Sequence, residues 1–170
     1  AQVPNDGRKV IVSDRPSSFT LANARVKIQR DENGASLTML YGMTDQPAAS
    51  LAPLSKSWNS APTVTLMGSG FAGGAFDKSQ RAYVFASTND KAGSLEFTLD
   101  ANEDSPVYHP AFVVKNWGKQ GAKLMVDGQD IPRKKDFRFG NHKTVDGTDL
   151  VVWVKMQESK KTTFRLAAAE

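Results

Sequence analysis

His109 and His142 are the only imidazoles among 170 residues, and Cys is absent. Without a thiolate there is no disulfide, no Cys-ligated metal and no Cys nucleophile. A catalytic zinc typically takes three protein ligands, commonly including His. Neither H-x-H nor H-E-x-x-H occurs, and the two histidines sit in Tyr108-His109-Pro110 and Asn141-His142-Lys143, both read as loops. The ordinary role of such a histidine is a local hydrogen bond. Glycoside hydrolysis needs two carboxylates flanking the scissile bond. Most acids here fall in turns, as at Asp31-Glu32, Asp45, Asp127 and Asp146. Only Glu96 lies well inside a strand-like run, opposite Leu95, Phe97 and Leu99. No pair stands out. A G-x-S-x-G elbow is missing, because Gly68-Ser69-Gly70 is too short. The glycine-rich stretch 68–74 is not followed by Gly-Lys-Ser/Thr and opens no helix, so it reads as a mobile loop or a bulged edge, not a phosphate loop. Elimination from an acidic polysaccharide needs a Tyr or His base and a cation that neutralises the uronate carboxylate. Tyr108, His109, Lys115, Arg138 and His142 supply those types, but no spacing in the sequence assembles them.

Aromatic residues offer a second chemistry. A sugar ring docks its apolar C–H face on an exposed aromatic plane while polar neighbours bond its hydroxyls. Trp58 lies in the polar run Ser57-Trp58-Asn59-Ser60, and Trp117 lies in Lys115-Asn116-Trp117-Gly118 at a strand end. These two are the expected sugar platforms. Asn116, Lys115, Arg138 and His142 would supply hydrogen bonds or charge. The alternative is that each tryptophan plugs the core, and Trp153 is assigned that role. The acidic run Asp100-Ala101-Asn102-Glu103-Asp104 has ligand types for a structural Ca²⁺, though a solvated turn is the simpler reading. No other cofactor is expected.

These residues must be held by strands. Runs at 111–115, 123–126, 137–139, 150–156 and 162–166 are short, apolar and rich in β-branched or aromatic residues, and turns separate most of them. Upstream, 9–12, 24–29, 63–67, 80–87 and 94–100 read the same way. Asn33-Gly34 marks a hairpin whose return strand is 35–41. Residues 42–60 read as a long polar connection with at most one short helical turn. In 150–156, Leu150, Val152, Val154 and Met156 share one face while Val151, Trp153 and Lys155 share the other. Apolar residues on both faces suggest a central strand, with Trp153 over a second cluster or partly exposed. The expected fold is all-β, an antiparallel β-sandwich of jelly-roll or immunoglobulin-like type with little helix. A single domain over 1–170 is expected, as an excised or C-terminal piece of a larger protein.

Charge is uneven. Lys and Arg number 10 against 11 acids up to Val114, and 12 against 7 from Lys115 onward. A basic surface attracts nucleic acid, anionic lipid or acidic polysaccharide. Clusters such as Arg133-Lys134-Lys135 also serve to solvate turns and blunt strand edges. No recognised nucleic-acid motif is present, and no run approaches the roughly 18 apolar residues of a membrane-spanning helix. Neither nucleic acid nor membrane is therefore an expected partner.

Several phrases together resemble a known class. They include Phe76-Asp77, Gln80-Arg81-Ala82-Tyr83, Ser105-Pro106, 109–118, Val126-Asp127-Gly128, 136–140 and 147–153. From about Trp58 to Leu166 the chain resembles the C-terminal β-sandwich region of secreted bacterial polysaccharide-degrading proteins. The resemblance is one of phrasing and carries over no catalytic residue. It implies a secreted or periplasmic ancillary domain beside a lyase or glycoside hydrolase module, with polysaccharide, in some cases acidic, as partner. A non-catalytic carbohydrate-binding role is the expectation. Participation in catalysis and a purely structural role are the alternatives.

Overall fold

In the computed structural model of the chain, residues 10–11, 18–21, 27–29 and 48–169 are described. The chain divides into two compact units, Ala1–Ser60 and Ala61–Glu170, where the sequence suggests one domain. In the first unit β1 (Val10–Ile11), β2 (Ser18–Leu21) and β3 (Lys27–Gln29) form a sheet in that order, with Ile11 opposite Thr20 and Phe19 opposite Ile28. The Asn33-Gly34 turn and its return strand lie outside the described residues. Helix α1 (Ala48–Asn59) replaces the expected polar connection. Its Ala- and Leu-rich stretch favours helix, and the helix runs on past Pro53. The Ser57 hydroxyl donates to the Leu54 carbonyl at 2.8 Å, and the Ser60 amide donates to the Lys56 carbonyl at 2.8 Å. Pro62 then stops the helix, since the residue before a proline is pushed out of the α region.

The second unit is a two-sheet sandwich. Its strands are β4 (Thr63–Met67), β5 (Phe71–Asp77), β6 (Ala82–Ser87), β7 (Ser94–Asp100), β8 (Val107–Tyr108), β9 (Ala111–Lys115), β10 (Gly121–Val126), β11 (Gln129–Ile131), β12 (Phe137–Lys143), β13 (Thr148–Val154), β14 (Gln157–Glu158) and β15 (Thr162–Ala169). One sheet has the order β11-β10-β15-β7-β4 and the other β12-β13-β9-β6-β5, and β14 pairs with β8 as a two-stranded clip. The all-β sandwich expected from the sequence is the architecture found. Every pairing is antiparallel except β6 with β9. Between those two strands the chain crosses to the first sheet for β7 and returns, which restores its direction. Strand β5 takes the bulged-edge alternative for the glycine-rich stretch, not the mobile loop. Gly73 and Gly74 make a β-bulge there, at φ 89° and 104°. A Cβ on Gly74 would lie 2.8 Å from Val64 Cγ1 and 2.9 Å from Phe85 Cε1, so only glycine lets this edge pass so close.

The core follows the two-residue period of its strands. Leu95, Phe97 and Leu99 of β7, Phe112 and Val114 of β9, Leu150, Val152 and Val154 of β13, and Phe164 and Leu166 of β15 are all buried. Phe97 stacks on its cross-strand partner Phe164 at 5.4 Å and 10°, and meets Phe85 at 4.5 Å and the edge of Phe112 at 5.0 Å. Each such side chain contributes about 1.5–3 kcal/mol through burial.

The same register defines the outward face of the second sheet. Val84 of β6 aligns with Val113 of β9, Val113 with Val151 of β13, and Val151 with Gly140 of β12. The valines at 84 and 113 are half-buried and Val151 is 41% exposed. Beside this row, Trp153 lies opposite Arg138 on one side and Ala111 on the other. Among the described residues no helix is long and apolar enough to cross a membrane.

Candidate functional site

Strand parity carries Trp153 outward. Phe137, Phe139, Val152 and Val154 take the inward positions of β12 and β13, so Arg138, Gly140, Val151 and Trp153 take the outward ones. Trp153 is half-buried. Its assignment to the core is corrected here: the core side of β13 is filled by Leu150, Val152 and Val154. The Arg138 guanidinium lies 5.5 Å from the Trp153 ring centroid, within cation–π range. The His109 ring lies 5.8 Å from the same centroid, tilted by 48°. Arg138 approaches from β12 and His109 from the chain entering β9, the strands on either side of β13.

Trp153 and Arg138 border a shallow, solvent-open cleft of about 340 Å³ lined by Gly140, His142 and Val151 as well, among others. That is the lower end of the range for small-ligand sites, about 300–1,000 Å³. Val151 and the bare backbone of Gly140 form its floor. A Cβ on Gly140 would have no heavy atom within 4 Å. Arg138 is exposed yet partly fixed, because its Nε donates to the Lys134 carbonyl at 3.2 Å. His142 is exposed on the same strand.

His109 is the strained member. Its φ is +44°, its amide donates to the Met156 carbonyl at 2.8 Å, and its ring packs on Tyr108 at 4.3 Å. Its Nδ1 is buried without a hydrogen-bond partner. Desolvation holds the imidazole below its usual pKa, and the nearby Lys155 charge acts in the same direction. Arg138 and His142 thus share one face of one sheet, and His109 comes to Trp153 from the segment entering β9, an association invisible in their sequence spacing.

The other expected ligand residues fare differently. Trp117 is 0% exposed and belongs to the core, 5.9 Å from the Phe71 ring, with its Nε1 donating to the Gly121 carbonyl at 3.4 Å. A sealed indole presents no face to a sugar, which corrects its expected role. Asn116 is a turn residue at φ +57°. Its amide donates to Asp149 Oδ1 at 3.0 Å and its Nδ2 to Asp90 Oδ1 at 2.7 Å. Lys115 is exposed at the end of β9, on the outward face but not in the cleft lining. Trp58 is half-buried near the end of α1, in the first unit. In the acidic run 100–104, Asn102 Oδ1 accepts the amides of Asp104 and Ser105 at 2.9 and 3.0 Å, which closes a turn. Among the described residues no group of three or more His, Asp or Glu is placed to hold a metal ion. Trp153 is the site residue that the sequence reading passed over. Its signal was the odd-position set Val151, Trp153 and Lys155.

No protein-family model, no curated protein and no solved structure matches this chain.

Proposed function

We propose that the chain is a non-catalytic, carbohydrate-binding β-sandwich that positions a polysaccharide-degrading enzyme on its glycan, in a secreted or periplasmic setting. One observation supports this reading above the others: Trp153 and Arg138 stand side by side on adjacent strands and border an open cleft with an apolar floor. Sugar recognition asks for this combination of an aromatic plane, a polar fork beside it and room for a chain to pass. The contact moves from the loop tryptophans to a strand tryptophan, and Arg138 and His142 keep their expected roles. Affinity electrophoresis through gels containing neutral and acidic polysaccharides tests it. At least one polymer should retard the protein, and Trp153→Ala should abolish the retardation without changing the melting temperature by more than a few degrees. Free migration through every polymer would sink the reading.

A second reading has an observation of its own. Tyr108, His109, Arg138 and His142 include the base and cation types of a polysaccharide eliminase, and two of them, His109 and Arg138, lie against the Trp153 ring. That reading requires the chain to release unsaturated, ultraviolet-absorbing ends from a uronate polymer. A purely structural domain would give neither product nor retardation.

A further inference from the structure

We infer that the ligand of this cleft is an acidic polysaccharide, with a sugar ring on Trp153 and its carboxylate or sulfate groups received by Arg138 and His142. The inference rests on the carbohydrate-binding reading and narrows it to one substrate class.

Hydrogen-bonding capacity decides the class. Neutral sugars present hydroxyls that both donate and accept, so a site selective for them offers carboxylates or amides as acceptors. No carboxylate lines this cleft. Its one side-chain amide, Asn141, donates to the carbonyls of Gly118 and Gln120 at 2.9 and 3.2 Å. Arg138 commits only its Nε, to Lys134. Its remaining N–H groups are available as a planar fork, the geometry that grips a carboxylate or sulfate at two points. Among the described residues no ion pair joins a carboxylate to Arg138, His142, Lys115 or Lys155.

Two carboxylates of the outward face accept hydrogen bonds from within the chain. Asp149 is 9% exposed and accepts the Asn116 amide. Asp77, on edge strand β5, accepts the Ser79 amide and hydroxyl and the Gln80 amide and side chain. Within the cleft lining, Arg138 therefore has no carboxylate beside it.

Spacing points to a polymer. Arg138 and His142 are four residues apart on β12, about 13 Å along an extended strand. That exceeds one sugar ring, and Gly140 leaves the path between them clear. A chain lying along β12 would meet the Arg138 and His142 side chains with different sugar units.

The test uses the full chain in affinity electrophoresis against polygalacturonate (carboxylate only), carrageenan (sulfate only), neutral dextran and xyloglucan, and duplex DNA. One or both acidic polymers should retard it, and which one identifies the anion. Arg138→Gln should weaken that binding at least tenfold. The double variant Lys160→Gln/Lys161→Gln, which removes more charge elsewhere, should weaken it less than twofold. Gly140→Leu fills the floor without touching charge and should also weaken it tenfold, so the inference stays testable if Arg138→Gln misfolds. Retardation by neutral polymers alone overturns this inference and leaves the carbohydrate reading standing. Retardation by none removes both. Equal losses from the Arg138 and the Lys160/Lys161 variants, or DNA retention with the same Arg138 dependence, would reduce the effect to general charge and overturn it.

Discussion

Replacing Trp117 with alanine separates a core tryptophan from a ligand platform. Trp117 is 0% exposed, and its ring packs 5.9 Å from Phe71. Truncating a fully buried aromatic removes its transfer energy and leaves a cavity, which costs about 3–5 kcal/mol. Its long bond to the Gly121 carbonyl, 3.4 Å, adds little to that. Against a typical domain stability of about 5–15 kcal/mol, the loss is large. Trp153 is half-buried on the sheet surface, so its truncation should cost at most about 1–2 kcal/mol. Urea unfolding followed by far-ultraviolet circular dichroism measures both without relying on indole emission. Trp117→Phe keeps a ring in the site and should fall between wild type and Trp117→Ala. If Trp117→Ala unfolds within about 1 kcal/mol of wild type while Trp153→Ala collapses, the two tryptophans have been assigned to the wrong sides of the sandwich.

Other outcomes follow from single contacts. Gly74→Ala places a Cβ against Val64 and Phe85 at a φ of 104° and should cost about 1–3 kcal/mol in the same unfolding assay. Asp77 should titrate at about 2 by NMR, because the Ser79 hydroxyl, the Gln80 side chain and the Ser79 amide hold its charged form. Its folded pKa lies below the unfolded one, so its contribution is complete above pH 3.8 and fades as the pH falls toward 2. Ser79→Ala should raise the titration midpoint and flatten that acid limb. His109 has the same proton balance. With its folded pKa below the usual 6.5, stability is full above that pH and declines as the pH falls through it. His109→Gln should remove this slope.

Strand parity made much of the sandwich legible. The alternation in Leu95, Phe97 and Leu99 and in Leu150, Val152 and Val154 sorted core from surface before any coordinates. The same alternation already placed Trp153 with Val151 and Lys155. It was assigned to the core because apolar residues on both faces resemble a doubly buried strand, and sequence does not say whether the second face is covered. Trp117 was misjudged for a backbone reason. Asn116 adopts φ +57° and turns the following indole inward, a conformation that asparagine tolerates but that no apolar pattern announces. The glycine-rich composition around Gly73 and Gly74 left loop and bulged edge open, because positive-φ glycines suit either, and only the pairing with β6 decides for the edge strand. Helix α1 was shortened by Pro53, which the helix accommodates. Arg138 meets Trp153 across the β12–β13 hairpin, but His109 reaches it only because β9, distant in sequence, pairs with β13.

The central claim concerns where a glycan sits, and the three indole N–H resonances report on that directly. An ¹⁵N-correlated spectrum titrated with an oligogalacturonate should shift the Trp153 signal progressively and to saturation while the Trp117 signal stays fixed. Movement of the Trp58 signal alone, or no movement of Trp153 at saturating oligosaccharide, would contradict a cleft on the outward face of β12 and β13.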